Sequence, residues 1–324
     1  MRCTNKIKFL ISISMIFILL TGCGKVNYQM AYNPNYPVSS FCVTNYKDVS
    51  IADAFASNLC VTKGNVEAPT PIVLDNIGCA GLFSLNDERV IYANNVHAQM
   101  SPASLTKVLT ALTAIQNCSL DQIMTASENV VFDDPYVQSF GLKPGDKMTL
   151  NQALHIMLVN SSNDVAVMIA ENIAGSVEEF SNMMNATARK VGATNSHFVN
   201  PHGLTASDHY TTAYDMYLMF QALIQYEEIR EIISLDSYTT VYTDANGNQK
   251  EQTVKSTNQY LTKNYTPPGN ITIVGGKTGT TNAAGNCLIL LVKDTAGNQY
   301  ILIIMRALER SILYNHMNTL LSLI

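Results

Sequence analysis

What this chain lacks narrows its chemistry before any motif is read. No Lys/Arg cluster breaks a net charge of −5, so a phosphate backbone finds no basic patch and nucleic-acid binding is not expected. Charged residues are sparse, 14% against 47% hydrophobic. That balance is the reverse of a disordered chain and is enough to bury a sizeable core. The length of 324 residues admits one large domain or two smaller ones. No internal repeat is visible, and the cysteines include no C-x-x-C pair, which argues against a zinc site. His197, His202 and His209 lie near one another but without a helical i, i+4 or zinc-ligand spacing. They are read as structural, His202 in its loop, and no metal is expected.

Long hydrophobic runs are also missing. The leading apolar run, residues 9–20, falls short of the ~20 residues a spanning helix needs. Arg2, Lys6 and Lys8 precede it and Thr21-Gly22-Cys23 follows, the layout of a signal peptide. Leu20-Thr21-Gly22-Cys23 resembles the lipobox of bacterial lipoproteins. That resemblance implies lipidation of Cys23, cleavage before it, and a protein tethered to the outer face of the bacterial cytoplasmic membrane. Cys42, Cys60, Cys79, Cys118 and Cys287 then remain, an odd count. In an exported protein one bridge among Cys42, Cys60 and Cys79 is admissible, and the sequence does not choose it.

Residues 1–22 are thus expected to be a signal peptide and 23–75 a membrane-proximal tether. The tether is rich in Asn, Pro, Tyr and Ser, with one short helix near residues 51–59. The globular domain is expected over 76–324. It opens with a hairpin, residues 81–85 and 90–92 around Asn86-Asp87. Helices follow. Thr149-Leu150-Asn151-Gln152 is a capping box opening a helix to residue 159, residues 160–163 interrupt it, and residues 164–174 resume until Gly175. Ser176 caps a further helix to Gly192, and helical signals return over 213–233. Strand signals then take over at 238–242 and 252–255 around Asn246-Gly247. They continue at 271–274, 287–292 and 300–305, and a closing helix runs from 308. The expected architecture is α+β: an antiparallel sheet of about five strands flanked by helices, with a mostly helical second lobe.

The chemistry gathers at Ser101-Pro102-Ala103-Ser104-Leu105-Thr106-Lys107. Ser101 reads as an N-cap and Pro102 as the first helical position. Leu105, Val108, Leu109 and Leu112 form the buried stripe of the helix that follows. Ser104 falls in the first turn, where backbone N–H groups have no helical partner. Lys107, three residues on, shares its face. A nucleophile, a candidate base and free amide donors lie within one turn. A lysine of ordinary pKa, about 10.4, would be protonated and useless as a base. Burial and a second cation would lower it, and Lys277 is the candidate cation.

Ser-x-x-Lys and Lys-Thr-Gly are individually cheap patterns, but their order and context are not. Ser104/Lys107 opens a buried helix, Ser161-Ser162-Asn163 sits on an interhelical loop, and Lys277-Thr278-Gly279 ends a strand. Together with Phe198-Val199-Asn200-Pro201-His202-Gly203-Leu204, Asp164 and Ala284-Gly285, they resemble the serine D-alanyl-D-alanine carboxypeptidases. These are the low-molecular-mass penicillin-binding proteins, of β-lactamase/transpeptidase-like fold. The resemblance covers roughly residues 75–320. It implies a Ser104 acyl-enzyme, Lys107 as base, Ser161 as proton relay and Asn163 as the holder of Lys107. It also implies Lys277, Thr278, Gly279 and Thr280 as the substrate site, with Ser104 and Thr280 N–H groups as oxyanion hole. The expected partners are peptidoglycan stem peptides, and β-lactams as acylating inhibitors, with no cofactor.

Two departures stand out. The family's carboxylate-binding arginine falls by spacing near Leu313, with Arg310 one turn earlier and Arg306 on the last strand. The chain after Gly279 suffices for two strands and a helix, so the lipid on Cys23 would replace the C-terminal membrane helix of many relatives. Three alternatives remain: a D,D-endopeptidase of cross-links, a β-lactamase, and a non-catalytic penicillin-binding or cell-wall lipoprotein. A β-lactamase of class A would need a glutamate placed to activate the deacylating water. Glu171, Glu178 and Glu179 fall instead on helix.

Overall fold

The computed structural model describes residues 58–324. The signal peptide, Cys23, Cys42 and most of the expected tether lie outside the described residues. From Asn58 onward the chain already packs on the body, so the globular part begins earlier than residue 76. Cys60 is buried, and its N–H donates to the Tyr217 hydroxyl at 2.8 Å. Val66 bridges to Ala93. Among the described residues no helix is long and apolar enough to cross a membrane.

The central sheet is antiparallel. Its strands are β1 (Cys79–Ser84), β2 (Arg89–Asn94), β7 (Thr272–Thr281), β8 (Gly285–Lys293) and β9 (Gln299–Ala307), in the order β2-β1-β9-β8-β7. The five strands match the expected architecture. The inner strands read as unbroken apolar runs because both faces are covered, and the period of two divides them cleanly. Cys79, Phe83, Ile289, Leu291, Ile301 and Ile303 face the helical lobe. Ala80, Leu82, Leu288, Leu290, Leu302 and Ile304 face the closing helix α7 (Arg310–Leu321), which contributes Leu313, Tyr314, Met317 and Leu320.

The helical lobe comprises α1 (Thr106–Asn117), α2 (Leu150–Asn160), α3 (Asn163–Ala174), α4 (Val177–Lys190), α5 (Ala213–Leu223) and α6 (Glu227–Ser234). The helical signals over 213–233 belong to two helices, α5 and α6. α1 is buried on every side from Thr106 to Ala114, the pattern of a helix at the centre of a lobe. A second sheet, β3 (Ile123–Thr125), β4 (Lys147–Thr149), β5 (Ser237–Thr243) and β6 (Gln249–Lys255), takes the Asn246-Gly247 hairpin away from the main sheet. Two of its strands have three residues each, too short to show alternation.

Cys60 and Cys79 carry free thiols. Cys60 Sγ donates to Ser84 O at the far end of β1 from Cys79. Five residues of strand, about 17 Å, separate the two positions, far beyond the span of a disulfide.

Candidate active site

Ser104 does not sit in a capped α-helix as expected. Residues Ala103–Leu105 form a 3₁₀ turn ahead of α1, and no side chain caps it. Ala103 is left-handed, φ +49°, a conformation that costs a non-glycine residue about 1–3 kcal/mol. The 198–204 loop is what presses on this turn. A Cβ on Gly203 would lie 1.9 Å from Ala103 O, so only glycine lets the loop seat there. Thr110 Oγ1 donates to Pro201 O at 2.6 Å, tying the same loop to α1.

Lys107 is fully buried on α1. Its Nζ lies 3.0 Å from Ser104 Oγ, 2.6 Å from Asn163 Oδ1 and 2.7 Å from His202 O. Asn163 arrives by way of α2 and α3. The capping box seen in sequence is present: Thr149 N–H donates to Gln152 Oε1 at 2.8 Å, and Gln152 N–H to Thr149 Oγ1 at 3.2 Å. α2 ends at Ser161, again left-handed at φ +67°. That reversal aims Ser161 inward and starts α3 at Asn163. Next to it, the buried Asp164 carboxylate accepts from four backbone amides, Phe140, Gly141, Leu142 and Val165, at 2.8–3.0 Å. It thereby holds the loop that brings Gln138 to the cleft.

The third wall is β7, an edge strand. Lys277, buried, donates to Ser161 Oγ and to Thr278 O, both at 2.9 Å. Gly279 lets the strand come close. A Cβ there would be 3.0 Å from both Pro102 O and Ser104 N. Thr280 is exposed beyond it. Hydrogen bonds join Ser104 and Asn163 to Lys107 and, separately, Ser161 to Lys277; both groups face one cleft, with Thr278–Thr280 at its open edge.

Burial dominates the electrostatics. Desolvation, then the neighbouring Lys277 charge, pull the Lys107 pKa well below 10.5, with Asp164 opposing. Desolvation lowers Lys277 to about 7. His202 is lowered to about 3 by burial and by Lys107, and His209 to about 4 by burial and by His197. Both rings are neutral at pH 7. His209 Nδ1 accepts from Val199 N–H, so Nε2 carries the proton and donates to Thr106 Oγ1 at 2.8 Å. They brace the loop, the structural role expected for His202.

A cleft of about 740 Å³ opens on this cluster, lined by Ser104, Ser161, Thr278, Gly279 and Thr280. Its walls also include Tyr136, Gln138, Thr257, Arg310 and Leu313. Arg306 is exposed and does not line it. Sequence reasoning singled out neither Gln138 nor Thr257, which stand in loops of no regular pattern. The Asp164 contacts, reaching back 22–24 residues, were equally invisible.

Residues 77–308 match the Peptidase S11 family model, D-alanyl-D-alanine carboxypeptidase. The chain belongs to that family. It is 35% identical over 221 residues to the D-alanyl-D-alanine carboxypeptidase DacF of Bacillus subtilis, covering 66% of this chain and 53% of that one. It is 29% identical over 214 residues to the D-alanyl-D-alanine endopeptidase of Escherichia coli, covering 66% of each. The fold resembles the Streptomyces K15 DD-transpeptidase at TM-score 0.70 and 22% identity, over 80% of this chain and 98% of that one. The chain spans little more than half the length of the curated carboxypeptidase it matches.

Proposed function

We propose that the protein is a serine D-alanyl-D-alanine carboxypeptidase that removes the terminal D-Ala of peptidoglycan pentapeptides through an acyl-enzyme on Ser104. One observation carries this reading: the partners of Lys107 Nζ. Two of the three, Asn163 Oδ1 and His202 O, are carbonyl oxygens that can only accept. A neutral amine has two N–H donors and one lone pair. The donors go to the carbonyls, and the lone pair faces the single neighbour that can donate, the Ser104 hydroxyl. The low pKa of Lys107 fits that arrangement.

Ser104 Oγ then attacks the carbonyl carbon of the penultimate D-Ala while its proton passes to Lys107 Nζ. The developing oxyanion is received by the Ser104 and Thr280 N–H groups. Collapse breaks the C–N bond, and the leaving amine takes a proton through Ser161, which Lys277 holds by a hydrogen bond. Lys277, Thr278 and Thr280 receive the terminal carboxylate, and Arg310, which also lines the cleft, supplies the guanidinium the family places there. The free edge of β7 offers the peptide backbone a strand to pair with. Water hydrolyses the ester, releasing the shortened peptide and restoring Ser104. β-Lactams acylate Ser104 as substrate mimics. We place the protein, by its N-terminal sequence alone, on the outer face of the membrane through a lipid on Cys23.

A D,D-endopeptidase is the second reading, favoured by the Escherichia coli relative of that name. The β-lactamase reading loses support because Glu171 accepts from Ser127 Oγ and Asn129 Nδ2 away from the cleft lining. Muropeptide digestion separates the first two. Pentapeptide monomers converted to tetrapeptides with cross-linked dimers intact is the expected result. Dimer cleavage with monomers untouched would assign the endopeptidase instead.

A further inference from the structure

Thr257 lies just past the end of β6, and it touches two catalytic elements at once. Its N–H donates to Val159 O at 3.1 Å, two residues before Ser161 at the end of α2. Its Oγ1 lies 2.5 Å from Thr278 Oγ1 on β7. It also lines the cleft with Thr278. The loop is itself anchored, since Ser256 N–H donates to Asp236 O at 2.8 Å. Thr257 therefore meets Thr278 from a fixed backbone.

A hydroxyl carries a single proton, so in a hydroxyl pair only one member donates to the other. A Thr278 that gives its proton to Thr257 presents only lone pairs to the cleft and repels an anion. A Thr278 that accepts from Thr257 has its own proton free for a carboxylate. Lys277 gives two of its three ammonium protons to Ser161 Oγ and Thr278 O, so beside the one it has left a directed Thr278 proton is a second donor for the carboxylate.

We propose that Thr257 is a positioning residue for carboxylate recognition: its hydroxyl donates to Thr278 Oγ1 and turns the Thr278 proton toward the C-terminal carboxylate of the substrate. This rests on the reading of the cleft as a D,D-carboxypeptidase site. Thr257 itself does not touch the reacting atoms, so its loss weakens recognition and leaves acyl transfer intact.

The experiment compares two substrates on the full chain. One is an acyl-D-Ala-D-Ala peptide with a free carboxylate; the other is the p-nitrophenyl ester of the same acyl-D-Ala, which has none. Thr257→Val removes the hydroxyl at constant shape. It should raise KM for the peptide about tenfold with kcat within about threefold, and leave ester turnover within about twofold. Thr257→Ser should restore the parent KM. Thr278→Val should raise KM similarly, and the double variant should lose no more than the larger single loss. Thr257→Ala carries the same expectation should the valine variant fold poorly. Equal losses on both substrates would reduce Thr257 to a scaffold residue and overturn the proposal, as would parental kinetics in Thr257→Val. A parent inert on peptide but active on ester would remove the carboxypeptidase reading, and this inference with it.

Discussion

Lys277 donates to Ser161 Oγ at 2.9 Å, a bond that ties edge strand β7 to the left-handed turn between α2 and α3. The two buried cations of the cleft, Lys107 and Lys277, place opposite demands on their protons. Lys107 must be neutral to accept the Ser104 proton, so activity is lost as pH falls through its lowered pKa. Lys277 must be charged to attract a carboxylate. Burial sets it at about 7, so recognition of the acid weakens as pH rises above that value. The kcat/KM for the free-acid peptide should be bell-shaped, whereas an ester substrate without a carboxylate should keep the acid limb and lose the alkaline one. Identical alkaline limbs on both substrates would contradict the assignment.

Asp164 sets the geometry of the cleft from behind. Replacing it with Ala leaves four backbone amides without their acceptor, each worth about 1–3 kcal/mol when buried and unpaired. Asp164→Ala should lower stability by about 3–5 kcal/mol, and Asp164→Asn, with one accepting oxygen left, by roughly half. Thermal unfolding of the two variants checks the ranking.

Gly203 and Gly175 are both left-handed, φ +89° and +81°, yet only Gly203 has a neighbour where a Cβ would go. Gly175→Ala should cost about 1 kcal/mol, the conformational term alone. Gly203→Ala should cost several times that, because Ala103 O must move and the Ser104 turn with it. A Gly203→Ala protein as stable and as rapidly acylated as the parent would refute the clamp.

His209 is buried and neutral, with a pKa lowered from 6.5 to about 4. The unfolded chain binds a proton in that interval that the folded chain does not, so stability falls as pH drops from about 6.5 to about 4. The loss is about 3 kcal/mol at the acid end. Urea unfolding across this range should show it. His209→Gln should remove only this share and lower stability at pH 7, because His202, lowered to about 3, keeps its own acid dependence.

The main sheet and the cluster were legible in sequence for one reason. Strands β8 and β9 are covered on both faces, so they read as continuous apolar runs, and the Ser104 and Ser161 motifs mark helix ends. Lys277-Thr278-Gly279, expected to end a strand, lies instead inside β7, which runs on to Thr281. What was hidden depends on contacts distant in sequence. Ser101-Pro102 looks like a helix start, but the packing of Gly203 on Ala103 imposes a 3₁₀ turn instead. β3 and β4 are too short for a period to appear. The Asp164 contacts and the Thr257–Thr278 pair join segments that no local pattern connects. Arg310 was one of two candidate arginines, and only the path of α7 brings it to the cleft wall while leaving Arg306 outside.

The central claim is that Ser104 is the acylated nucleophile activated by Lys107. The most direct measurement is intact-protein mass after benzylpenicillin treatment, followed by peptide mapping, for the parent, Ser104→Ala and Lys107→Met. The account predicts one stoichiometric adduct on the Ser104 peptide of the parent. It predicts none in Ser104→Ala, and acylation slowed by at least about a hundredfold in Lys107→Met. An adduct that persists in Ser104→Ala, or a parent that remains unmodified, would contradict it.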